Sequence, residues 1–186
     1  MDQGGKSYCR FLNGDDNSFV DIIREYQEGL ILYLYNFTGN IHTAEDLAED
    51  TFVRLVTKKP RFHAEKASFK TWLYTIGRNI ALDQLRREGR ALRAPLEDCE
   101  ELCGIAASPE SVYVQKEQHL LLHKALWQLK AEYRQVLWLI YFEDFSTKEA
   151  AAVLKKSVHN TETLIYRARL ALKCELKKED FIYEEL

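Results

Sequence analysis

Apolar residues recur at steps of three and four along most of the chain, and no alternating stretch is long enough for a strand. From Asn17 to about Phe37, the side chains of Phe19, Ile22, Ile23, Tyr26, Leu30, Tyr33 and Leu34 share one face. This predicts an amphipathic helix, which Thr38-Gly39-Asn40 ends. A second helix is predicted from about Thr43 to Thr57, with Leu47, Phe52, Leu55 and Val56 apolar and Lys58-Lys59-Pro60 as its stop. A third covers about Ser68 to Arg87. The periodicity lapses over 88–109, where Pro95, Gly104, Pro109 and the acidic run around Glu97, Asp98, Glu100 and Glu101 read as a linker. It resumes from Glu110 to about Leu129 and again from about Glu132 to Phe142. The pattern predicts an all-α protein of two small helical domains, 1–90 and 110–186, joined by a flexible linker at 91–109.

The second domain ends in a helix-turn-helix pattern. Ser146 followed by Glu149 forms a capping box in front of a short Ala-rich helix. Lys155-Lys156-Ser157 is a polar turn, and Ser157 can cap a second helix. In that helix Thr161, Leu164, Ile165, Ala168 and Leu172 form the inward stripe. The opposite face carries His159, Asn160, Thr163, Arg167, Arg169 and Lys173, a polar and mostly basic surface suited to a major groove.

Charge strengthens this reading through its distribution. The formal net charge is −3, which by itself argues weakly against a polyanionic partner. Residues 1–57, however, hold 4 Lys/Arg against 10 Asp/Glu, whereas 58–93 hold 10 against 3. Residues 94–146 return to 4 against 9, and 147–178 hold 8 against 3. Two separate basic segments imply two contacts with nucleic acid, although either alone would pass for solvated helix faces. In the first, Phe62, Phe69, Trp72 and Tyr74 alternate with Lys58, Lys59, Arg61, Lys66, Lys70 and Arg78. Aromatic rings can stack on unpaired bases while cations follow the phosphates. The bland alternative, aromatic spacing for a helix core, is the stronger one for Trp72, Leu73 and Ile76.

Three stretches together resemble the extracytoplasmic-function group of bacterial RNA polymerase sigma factors. Ala44 to Leu55, Ala-Glu-Asp-Leu-Ala-Glu-Asp-Thr-Phe-Val-Arg-Leu, is similar to the helix by which that family docks on core polymerase. Ser68 to Arg87 is similar to the segment that opens and reads the minus-10 element. Residues 126–172 resemble the domain that reads the minus-35 element. The resemblance implies an alternative sigma factor that binds core polymerase and promoter DNA, with an anti-sigma protein as a further partner. It places polymerase docking on Asp46, Glu49 and Asp50, whose charges would steer a basic partner. It places minus-10 contacts on Lys66, Phe69, Lys70, Tyr74, Arg78, Asn79, Arg86 and Arg87. For the minus-35 duplex it implies Lys155, Lys156, Ser157, His159, Asn160, Thr163 and Arg167, with Asn160 able to pair bidentately with adenine. The chain departs from the common family pattern at Lys155 and Lys156, where Gly and a buried Ile are frequent. It departs again at His159, often Gly, and at Glu162 and Leu164, often Lys and Arg.

Competing chemistries leave little trace. Cys99, Cys103, His119 and His123 have a spacing reminiscent of zinc ligands, but no finger framework surrounds them, and incidental thiols are the reading preferred here. No phosphate-binding loop, nucleophile elbow or metalloprotease motif is present, so neither an enzyme nor a cofactor is expected. No apolar run reaches the roughly 20 residues of a membrane span, and the start of the chain lacks a signal peptide's apolar segment, which predicts a cytoplasmic protein. The rival assignment is a stand-alone helix-turn-helix regulator of duplex DNA, which has no need of the aromatic and basic segment at 62–87.

Overall fold

A computed structural model describes residues 1–88 and 121–178, and every regular element among them is a helix. In order these are α1 (Gln3–Leu12), α2 (Asn17–Thr38), α3 (Ile41–Lys58), α4 (Phe69–Arg87), α5 (121–128), α6 (Ala131–Tyr141), α7 (Thr147–Leu154) and α8 (Val158–Lys178). The proposed linker and the Cys99, Cys103 and His119 spacing lie outside the described residues.

Local chemistry sets the ends. Gly39 takes the left-handed conformation, φ 65°, that closes α2, and the Asn40 side chain accepts from the Thr43 N–H at 2.9 Å to start α3. This cap moves the start of α3 two residues ahead of the predicted Thr43. Ser68 caps α4, and both halves of the Ser146–Glu149 capping box are formed at α7. The turn into α8 uses Lys155 at φ 56°, a conformation favoured by glycine, and Ser157 Oγ accepts from the Asn160 N–H at 3.1 Å.

Helix α1 was not predicted. Its Gln-Gly-Gly-Lys start reads as a poor helix former. Tertiary contact overrides propensity there: a Cβ on Gly4 would stand 2.6 Å from Phe69 Cδ1, and one on Gly5 would stand 2.7 Å from Phe62 Cε1. Only glycines let α1 lie this close to α4. Its Tyr8 ring then meets Phe69 and Trp72, with centroids 5.6 and 5.3 Å away.

Helices α1–α4 pack around Ile22, Leu30, Tyr33, Leu34, Leu47, Leu55 and Leu73, all essentially inaccessible to solvent. Helices α6–α8 close over Val136, Leu137, Leu139, Val153 and Ala168. The two helical domains meet where α2 contacts α6 and α4 contacts α7, so one apolar core runs through both.

Three surfaces and the seam between two of them

The α3 face is acidic. Asp46, Glu49 and Asp50 stand in solvent, while Leu47 and Phe52 point inward. Beside it, α2 and α3 enclose a groove whose apolar walls are Phe19, Ile23, Ile31, Phe52, Val53 and Val56, with Glu45 and Glu49 at its edge. Val53 and Val56 are 47% and 40% exposed, a large apolar surface for a free helix face. The acidic positions were legible in sequence. The groove was not, because its two walls come from different helices.

Helix α4 brings the first basic segment together, with its charges unevenly placed. Lys66 lies exposed ahead of the helix, and Arg86 and Arg87 are exposed in its last turn. Asn79 is half-buried. Arg78 is half-buried beside Tyr33, whose phenol burial pushes towards a higher pKa and Arg78 pulls the other way. Phe69 and Tyr74 offer no open ring face: both are buried, at 0% and 1% exposure. Phe69 packs among Tyr8, Tyr26, Phe62 and Trp72. Trp72, half-buried in the same aromatic cluster, is part of the packing.

The start of α4 is clasped from two sides. Asp2 accepts from the Gly5 N–H at 2.9 Å and from the Phe69 N–H at 2.6 Å, so one carboxylate caps two helices. From the other domain, Glu149 accepts from Ser68 Oγ at 3.0 Å and from Thr71 Oγ1 at 3.3 Å, while its second oxygen completes the α7 capping box. Burial works against the Glu149 carboxylate. The Ser146 hydroxyl and backbone N–H, with Ser68 and Thr71, outweigh it and hold the carboxyl below its ordinary pKa. One turn further, Glu143 in the α6–α7 turn accepts from Tyr74 OH at 2.6 Å and pairs with Lys70 Nζ at 3.0 Å. Lys70 also donates to the Glu143 backbone carbonyl at 2.7 Å. At the far end of the seam, buried Arg134 donates to the Asn36 carbonyl through Nε and Nη2, at 3.2 and 2.8 Å. Its Nη1 reaches the Trp127 and Leu129 carbonyls at 3.4 Å each, and its guanidinium lies 3.9 Å above the Trp127 ring. Burial draws the Arg134 pKa down to about 10.

The third surface is the exposed side of α8. His159, Asn160 and Arg167 stand in solvent, and the Thr163 hydroxyl is tied to the His159 carbonyl at 3.1 Å. Lys155 and Ser157 flank them in the turn, whereas Lys156 is drawn aside to Glu132 at 3.3 Å. The stripe beneath is buried at Thr161, Leu164 and Ala168. Among the described residues no group of His, Cys, Asp and Glu is arranged to hold a metal, and His123 packs beside the Trp138 and Phe142 rings. No helix among the described residues is long and apolar enough to cross a membrane.

Two helical domains, one with an acid-edged apolar groove and one with a helix-turn-helix, make up the described residues. Sigma-70 region 2 matches residues 22–91, and sigma-70 region 4 matches 119–172. The chain is 32% identical over 169 residues to RNA polymerase sigma factor YlaC of Bacillus subtilis, spanning 87% of this chain and 94% of that protein. It is 29% identical over 172 residues to the ECF RNA polymerase sigma factor SigW of the same organism, spanning 88% and 91%. The fold matches the sigma factor RpoE, solved in complex with the anti-sigma factor NepR from Bartonella quintana. That match has TM-score 0.60 and 26% identity, and it covers 84% of this chain and 97% of the other. CnrH, solved with the cytosolic domain of CnrY, shares the fold at TM-score 0.68 and 22% identity, over 95% and 99% of the two chains. The chain belongs to the extracytoplasmic-function group of RNA polymerase sigma factors.

Proposed function

We propose that this alternative sigma factor divides promoter recognition among the three surfaces. The groove between α2 and α3, edged by Glu45 and Glu49, together with exposed Asp46 and Asp50 of α3, takes a helix of core RNA polymerase that is apolar on one side and basic on its rim. Helix α4 and the turn before it handle the single-stranded minus-10 element through Lys66, Lys70, Arg78 and Asn79, with Arg86 and Arg87 on the adjoining duplex backbone, while Phe69 and Tyr74, expected from the sequence to meet bases, are buried packing that holds the helix in place. Helix α8 reads the minus-35 duplex through His159, Asn160 and Thr163, with Lys155, Lys156, Ser157 and Arg167 set for phosphates. The protein works in the cytoplasm without a cofactor, RNA synthesis being the chemistry of its polymerase partner, and an anti-sigma protein is a further binding partner. Domains 1–90 and 110–186, tethered by 91–109, carry the two DNA contacts.

The observation that carries this reading is the presence, on one chain, of an acid-edged apolar groove beside two separate basic DNA-type surfaces. A regulator of duplex DNA alone needs neither the groove nor α4. The test is reconstitution with bacterial core polymerase, scored by co-elution and by start sites on genomic fragments. Co-elution and discrete starts, both weakened by Asp46→Lys with Asp50→Lys, are expected. Tight duplex binding without any association with core polymerase would overturn the reading in favour of the stand-alone regulator.

A further inference from the structure

We propose that α1 is a positioning element for minus-10 recognition: it holds the segment between α3 and α4 along its own length, through Gly5, Tyr8 and Phe11, and so aims the exposed tip at 63–66 towards unpaired promoter bases. The inference rests on the assignment of α4 and the turn before it to the minus-10 element.

The contacts follow a single order. Segment 59–62 runs antiparallel to α1, so that Lys59 meets Phe11, Pro60 meets Tyr8 and Phe62 meets Gly5. Lys59 Nζ stands 5.1 Å from the Phe11 ring centroid. The Lys59 backbone has φ 41°, a left-handed conformation that favours glycine, yet a glycine there could not reach Phe11. The Tyr8 hydroxyl donates to the Pro60 carbonyl at 2.9 Å. That side chain is inaccessible to solvent, and burial pushes its pKa up to about 12, so the phenol stays a donor. Phe62 lies against the bare Cα of Gly5 and packs edge-on to Phe69, with ring centroids 5.6 Å apart.

The far end of the segment is held by the same helix. Asp2, the residue that caps α1, also accepts from the Phe69 N–H where α4 starts. Between these anchors His63, Ala64, Glu65 and Lys66 are exposed. The tip closes on itself: the Lys66 N–H donates to the His63 carbonyl at 3.0 Å, and the His63 ring lies 3.1 Å from the Glu65 carboxylate. Its own bonds are internal, so its direction comes from its two feet, and α1 touches both. A loose segment would have to be ordered each time it met DNA, at a cost in conformational entropy. Anchoring it beforehand removes that cost for one tip geometry only, which is what discrimination between bases requires.

The test is transcription by holoenzyme assembled from the full chain and bacterial core polymerase. The templates vary the minus-10 element one base at a time, with a matching set varied at minus-35. Tyr8→Phe keeps the ring and removes only the hydrogen bond to Pro60. Lys59→Gly suits the left-handed backbone and removes the contact with Phe11, and the loss of its charge acts on every sequence alike. Each variant is expected to narrow the ratio between the best minus-10 sequence and its single-base variants by about three- to fivefold. Minus-35 ratios and co-elution with core polymerase should stay within about twofold of wild type. A role in stability alone would lower all transcripts together and leave the ratios where they were. Narrowing in either variant supports the inference, and unchanged minus-10 ratios in both overturn it. Circular dichroism shows that each variant keeps its helices, and if Tyr8→Phe does not, Lys59→Gly decides. A wild type that co-elutes with core polymerase yet prefers no minus-10 base removes the assignment of α4 and its preceding turn, and the inference with it. A clear wild-type preference that both variants retain removes only the role of α1.

Discussion

Helices α4 and α8 begin alike and end up differently placed. Each is led by a serine cap, and each carries Lys and Arg on its polar side. Helix α8 packs through one stripe and leaves its opposite face in solvent. Helix α4 is enclosed by α1, α2, α3 and α7, so Phe69 and Tyr74 become core and Lys70 is held by Glu143. The difference teaches that residue type identifies a nucleic-acid surface, whereas the neighbours decide whether it is open.

The largest effect should come from the clasp that joins the domains away from the glutamates. Arg134→Ala removes the donors for the Asn36, Trp127 and Leu129 carbonyls and should cost about 3 kcal/mol in urea unfolding. An effect below about 1 kcal/mol would mean that the domains close without it.

Next comes the enclosed helix itself. Asp2→Ala removes the cap shared by α1 and α4, so a loss of about 1–2 kcal/mol is expected, with faster amide exchange at Gly5 and Phe69. Protection unchanged at Phe69 would show that Ser68 and Glu149 hold the start of α4 alone.

Acid offers a smaller, graded perturbation of the same end. The Glu149 pKa is lower folded than unfolded, so its stabilisation is present above the ordinary carboxylate range and is lost as pH falls through the lowered value. Glu149→Gln should flatten that part of the stability profile, measured by urea unfolding between neutrality and acid. An unchanged acid limb would assign the loss to other carboxylates.

For α8 almost no effect on stability is expected. Asn160→Ala and Arg167→Ala alter exposed side chains and should stay within about 0.5 kcal/mol. Both should weaken duplex binding, Arg167→Ala lowering the salt dependence by about one phosphate contact and Asn160→Ala acting at one base position. A large stability loss in either would show that the open face is structural.

Much of this was legible from spacing. The three- and four-residue periodicity placed α2, α3, α4, α6 and the helix-turn-helix within a residue or two, since their faces bury what the pattern marks as apolar. The Ser146–Glu149 box was visible because capping is a contact three residues long. Helix α1 escaped because glycines weaken a helix locally, and only Phe69, Phe62 and Tyr26 explain why they are needed. Arg134 and Glu143 carried no signal, since their partners lie 98 and 69 residues away. The groove on α2 and α3 was equally silent.

By itself the sequence determined the helices other than α1, the serine caps at Ser146 and Ser157, the alternation of acidic and basic segments and the face that α8 turns outward, all consequences of side chains within a few turns of one another. Tertiary structure alone decided that Glu149 serves two helices, that Arg134 fastens α6 to α2, and that Lys70 and Tyr74 face a carboxylate. Those choices depend on which distant surfaces fold against each other, because a charge in a seam is satisfied by whatever stands opposite it.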